Sequence, residues 1–122
     1  MTKHPKPVDV FNLDELKFSP TASLFEGLPR ACVGITVFVV RTPPGMLVEL
    51  HVHPSAETFV LLEGGGTWTA GDEVVELHAN QMLVVPPQTP HGFRNTGEHP
   101  LLVVSIHESG TLEQTFLGRD PA

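Results

Sequence analysis

Tyrosine is absent from this 122-residue chain, and tryptophan and cysteine occur once each, at Trp68 and Cys32. With so few large polar aromatics, aliphatic side chains must build most of the core. A single cysteine excludes an internal disulfide framework and fits a reducing cytoplasm. Basic residues are also scarce: seven Lys and Arg stand against 14 Asp and Glu, a formal net charge of -7. Nucleic-acid binding needs a basic face to neutralise phosphate, and an anionic membrane surface attracts the same kind of face, so neither partner is expected. No apolar run approaches the ~20 residues that span a bilayer. The opening stretch MTKHPKPVDV has no apolar h-region, so a signal peptide is not expected either. The expectation is a soluble cytoplasmic protein of one domain.

Twelve prolines and eleven glycines are present, spread between short apolar runs rather than gathered in one block. That is the punctuation of an all-β chain with many turns. Strands are expected at Ala22–Phe25, Ala31–Arg41, Met46–His53, Glu57–Glu63, Thr67–Ala70, Val74–Leu77, Met82–Val85, His91–Asn95 and Leu101–His107. Asn12 is expected to cap a short helical turn with Glu15, Gly64-Gly65-Gly66 to form a flexible joint, and Leu112–Leu117 to form a short helix. The organisation predicted is an N-terminal arm (1–20), a β domain (21–110) and a C-terminal tail (111–122). Many short strands without a long helix predict an antiparallel sandwich or small barrel.

The chemistry concentrates in His51-x-His53-x3-Glu57. Alternate side chains of a strand share a face, so His51 and His53 point the same way. Glu57 returns on the next apolar run after Pro54 and Ser55 break the first. Two imidazoles and a carboxylate on one face suit a divalent metal.

Gly45-x5-His51-x-His53-x3-Glu57-x6-Gly64 resembles the first motif of the cupins at every fixed position, and Asn80-x5-Pro86-x-Gln88-x2-His91-x3-Asn95 resembles the second. Asn80 and Gln88 replace two glycines of that second motif. Asparagine tolerates a left-handed backbone, and glutamine does so less well, so an altered turn is expected before His91. The resemblance implies a jelly-roll barrel (a double-stranded β-helix) with one divalent transition metal inside, Fe, Mn, Ni, Co or Zn, held by His51, His53, Glu57 and His91. Four protein ligands would leave positions for water or substrate. Metal affinity should then fall below a pH of about 6 to 6.5, because imidazole must be neutral to ligate.

Two further residues are catalytic candidates. Glu49 shares the parity of His51 and His53 and could act as a base. His107 shares a face with Ser105 and Val103 and is read either as a hydrogen-bonded strand end or as a neighbour of the site. Asn95 is expected to fix the turn near His91, Arg41 to lie on the surface, and Cys32 to be a small buried residue. Trp68, Phe59, Phe93 and Met82 are assigned to the core or a pocket wall. His4, His78 and His99 are placed in solvent. The resemblance implies a metal-dependent enzyme on a small polar substrate, with a dioxygenase-like oxidoreductase favoured over an isomerase or decarboxylase. A non-catalytic metal- and ligand-binding module is the other class. Apolar side chains at both parities of residues 31–41, 57–62 and 101–106 imply a covered outer face, hence a homodimer.

Overall fold

The computed structural model describes residues 8–122. In chain order the strands are β1 (Lys17–Ser19), β2 (Ala22–Glu26), β3 (Thr36–Thr42), β4 (Leu47–Val52), β5 (Glu57–Glu63), β6 (Gly65–Ala70), β7 (Glu73–His78), β8 (Met82–Val85), β9 (His91–Arg94), β10 (Leu101–His107) and β11 (Thr115–Phe116). They form two antiparallel sheets, ordered β1-β2-β3-β10-β5-β8 and β11-β4-β9-β6-β7. Successive strands from β3 to β6 alternate between the sheets, as in a jelly roll. No helix among the described residues is long and apolar enough to cross a membrane.

The interior is graded from apolar to polar, and the gradient is written in the strands. Inward residues of β10 run Leu101, Val103, Ser105, His107, and those of β5 run Glu57, Phe59, Leu61. Antiparallel register pairs Val103 with Leu61, Ser105 with Phe59 and His107 with Glu57. One end therefore holds a core of Leu61, Trp68, Leu77, Leu101 and Val103, and the other gathers the histidines. Trp68 stacks on Phe93 with ring centroids 4.5 Å apart, and Phe59 meets its edge.

Several expectations need correction. β3 begins at Thr36 rather than Ala31, because Gly27–Ala31 form one helical turn that ends at Cys32 in a left-handed conformation. Pro29 suits that first turn, where its missing N–H costs nothing. Cys32 is exposed, not buried. Gly65 and Gly66 are strand residues paired with His78 and Leu77, so the glycine run is no flexible joint. Gly64 alone makes the corner: its φ is +78°, and a Cβ there would lie 2.6 Å from the Pro100 carbonyl. β8 is an edge strand whose Met82 side chain is exposed, outside the core.

Residues 13–16 form a 3-10 turn, but Asn12 bonds the Glu15 side chain instead of capping a backbone N–H. Residues 115–116 are a strand, not a helix, and pair with Val52 and His51 of β4. Asn80 and Gln88 both adopt positive φ, +73° and +61°. The turn before His91 thus keeps the conformation a glycine would supply, with the Gln88 N–H donating to the His53 carbonyl (2.8 Å). His4 lies outside the described residues, whereas His78 and His99 are exposed.

Candidate metal centre

His51 comes from β4, Glu57 from the start of β5 and His91 from the start of β9, while His53 directly follows β4. All four side chains are buried, and one donor atom from each lies within 4.8 Å of the others. Pairing of His51 with His91 across β4 and β9 brings the two halves together. Gly92 permits that approach, since a Cβ there would meet the Val48 carbonyl at 2.5 Å.

The tautomers follow from the partners. A carbonyl oxygen only accepts, so each Nδ1 carries the proton it donates. His51 donates to the carbonyl of Glu49 (2.7 Å), His53 to that of Glu113 (2.9 Å) and His91 to that of Thr89 (2.8 Å). In the neutral rings every Nε2 is then a bare lone pair. Those of His53 and His91 face Glu57 Oε1 at 3.0 and 2.7 Å. Lone pairs of nitrogen and carboxylate at that range repel unless a cation stands among them, either ring protons or a metal ion. The donor set fits a divalent ion: neutral imidazole nitrogens, one carboxylate, and carbonyls that fix each ring.

His107 joins this cluster. Its buried Nε2 lies 3.1 Å from Glu57 Oε2, at ion-pair distance, with no hydrogen-bond partner among the described residues. Its ring stands edge-on to His53, with centroids 4.3 Å apart. Glu49 is exposed and lines the mouth of the cavity above the site. Asn95 clamps its turn from a buried position: its amide donates to the carbonyls of Thr42 and His99, and its oxygen accepts from the Gly97 N–H. Arg41 pairs with Glu63 on the surface (3.8 Å). Two contributors have no sequence signal beyond weak patterning: the Glu113 carbonyl on His53, and Phe116, whose ring centroid is 5.1 Å from that of His51.

Burial holds the His51 imidazole down to about 4; the Glu49 carbonyl opposes this, and nearby His91 and His53 add to it. Burial alone would raise the Glu57 carboxyl, but the imidazoles of His107, His53 and His91 reverse this and hold it well below the usual carboxylate range. Competition between metal and proton at His51 therefore moves below the expected 6 to 6.5. Stability follows the same sign. An unfolded His51 ring protonates near 6.5 and the folded one near 4, so the unfolded state binds more protons between these values. His51 stability is complete above about 6.5 and is lost as pH falls towards 4, a change on the order of 3 kcal/mol. Glu57 acts in the same direction further into acid. The urea midpoint of metal-free protein should fall steadily from pH 7 to pH 4.5, and a flat midpoint would contradict the burial of these groups.

Residues 38–107 match the family model described as the cupin domain. In sequence the chain is similar to an uncharacterized protein of Methanocaldococcus jannaschii, 36% identical over 63 residues, covering 51% of this chain and 50% of that protein. The chain thus spans about half the length of that curated relative. Among solved structures it is similar to oxalate decarboxylase of Bacillus subtilis, a protein with Mn(II) centres, at a TM-score of 0.78 and 22% identity, covering 86% of this chain and 31% of that one. It is also similar to a Klebsiella pneumoniae protein with a double-stranded β-helix domain, at a TM-score of 0.74 and 24% identity, covering 92% and 99%. Likenesses at this identity show the fold.

Proposed function

The chain belongs to the cupin domain family, and from that premise we propose that it is a metal-dependent enzyme acting on a small molecule inside the barrel, by dioxygenase-like chemistry. The observation that carries this reading is the convergence of three imidazole donors and the Glu57 carboxylate, with His51 and Glu57 lining a cavity. A divalent transition metal held by His51, His53, Glu57 and His91 supplies Lewis acidity and, where redox-active, electrons for dioxygen chemistry.

The chain's own residues do the rest. The Glu49, Glu113 and Thr89 carbonyls fix the ring orientations. His107 stands against the second oxygen of Glu57, and mostly apolar side chains wall the cavity beside it. Glu49 at the mouth is the candidate to take a substrate proton. A binder without turnover is the competing reading, favoured by how few acid or base groups line the cavity.

Loaded with Fe(II) under argon, the protein should bind nitric oxide, a dioxygen surrogate, and give a high-spin paramagnetic resonance signal that His53→Ala lacks. Iron that binds without taking up nitric oxide would leave no open position and would overturn the dioxygenase reading.

A second copy of the chain is the proposed cover for the outer face of the larger sheet. Val39, Val104, Val60 and Met82 form one cross-strand row on that face, and Val84 and Leu62 are exposed beside it. Sedimentation at micromolar concentration should give twice the 13.2 kDa chain mass. Val84→Lys should shift the population to monomer, and a wild-type monomer would refute the pairing.

A further inference from the structure

We propose that the ligand of this site is an aromatic molecule with at most one ionised oxygen that meets the metal through two adjacent oxygens, rather than a small dicarboxylate or a phosphorylated sugar. The inference rests on the metal-centre reading above and adds the substrate class. A cavity of about 300 Å³ reaches His51 and Glu57, at the lower end of the size of small-molecule sites. Phe18, Phe38, Phe59, Phe93 and Phe116 all line it. Phe18 meets Phe38 edge-on at 5.5 Å, and Phe116 lies against His51. Phe18 and Phe116, from opposite sheets, are 54% and 50% exposed at this lining. Two half-exposed rings at a concave site offer apolar surface that a flat apolar ligand would cover.

Charge points the same way. Among the described residues, no Lys or Arg lines the cavity, and its carboxylates are Glu49 and Glu57. A divalent ion with Glu57 bound keeps about one positive charge, which balances one ionised oxygen and not a dianion. A second carboxylate or a phosphate would sit beside Glu49 with no cation to accept it, in a chain of net charge -7. The neutral polar side chains of the lining, buried Ser105 and half-buried Ser19, Thr21 and Gln114, suit hydroxyl and keto oxygens. An aromatic ring with neighbouring oxygens satisfies both constraints: its faces meet the phenylalanines and its oxygens meet the ion.

The test uses Zn(II)-loaded protein and 2,3-dihydroxynaphthalene, followed by the fluorescence of the diol. Oxalate and mannose 1-phosphate are the competitors. The diol should bind at least about tenfold more tightly than either, and Phe18→Ser should weaken it by about threefold or more with zinc content unchanged. Phe18 has Phe38 as its ring partner and is half exposed, so this variant should leave the fold and the ion in place. Oxalate or the sugar phosphate binding as tightly as the diol would overturn the proposal, and so would a Phe18→Ser protein of unchanged diol affinity. A chain that takes up no zinc fails the metal reading instead. The aromatic class is then judged on metal-free protein with 2-naphthol: saturable binding weakened by Phe18→Ser upholds it, and no binding overturns it.

Discussion

His53→Ala should take the protein from about one metal ion per chain to almost none. The residue supplies one of four convergent donors, and its ring is held from behind by the Glu113 carbonyl. Alanine removes the donor and leaves three, with Glu57 still buried among imidazoles. Elemental analysis of wild type and variant, purified without chelator, reads the effect directly. A second readout separates lost metal from lost fold. Added metal at about 100 times its Kd stabilises a native site by about 2.7 kcal/mol, roughly 10 °C in Tm for a chain of this size. Wild type should show that rise and His53→Ala should not, while His99→Ala, exposed and remote from the cluster, should behave as wild type. Equal metal content in wild type and His53→Ala would remove His53 from the ligand set.

Trp68→Ala should be the most damaging substitution in the apolar half of the barrel. The side chain is fully buried, stacked on Phe93 and met edge-on by Phe59. Truncating a buried Trp typically costs about 3–5 kcal/mol through lost transfer energy and the void left behind. One term opposes it: the buried indole Nε1 has no hydrogen-bond partner among the described residues, a penalty of about 1 kcal/mol or more that alanine relieves. Packing wins, and a net loss of about 3 kcal/mol, roughly 10 °C in Tm, is expected. Trp68→Phe keeps a ring against Phe93 and removes the unpaired N–H, so it should fall within about 1 kcal/mol of wild type. Thermal unfolding of both variants checks this, and an alanine variant that melts within a few degrees of wild type would show that the stack contributes little.

The parts legible in the sequence are those that depend on near neighbours. His51 and His53 share a face by strand period alone, and Glu57 is one short break away. The motif resemblance adds His91 to these three. The rest depends on register between distant segments. Parity places His107 inside, but its meeting with Glu57 needs β10 to slot beside β5, which no local pattern encodes. The Glu113 carbonyl is main chain and carries no residue signature. Thr115–Phe116 is too short to read as a strand and owes its conformation to the free edge of β4. At Ala31–Ile35 the β-branched residues suggest a strand, yet Cys32 turns left-handed and Val33 and Ile35 stay exposed. The glycine run misleads in the opposite sense, because pairing with β7 holds what composition would leave loose.

The place of β10 between β3 and β5 has a consequence for biosynthesis. Both flanking strands leave the ribosome well before it does: about forty residues separate the end of β5 from the end of β10. At about 5–20 residues per second, that slot stands open for some 2 to 9 seconds. During that interval β3 and β5 each expose an unpaired edge of largely apolar residues, the kind of template on which nascent chains associate with one another. Yield in the cell should therefore depend on how quickly residues 64–107 are translated, so synonymous changes that slow this stretch should lower soluble protein without altering a single side chain.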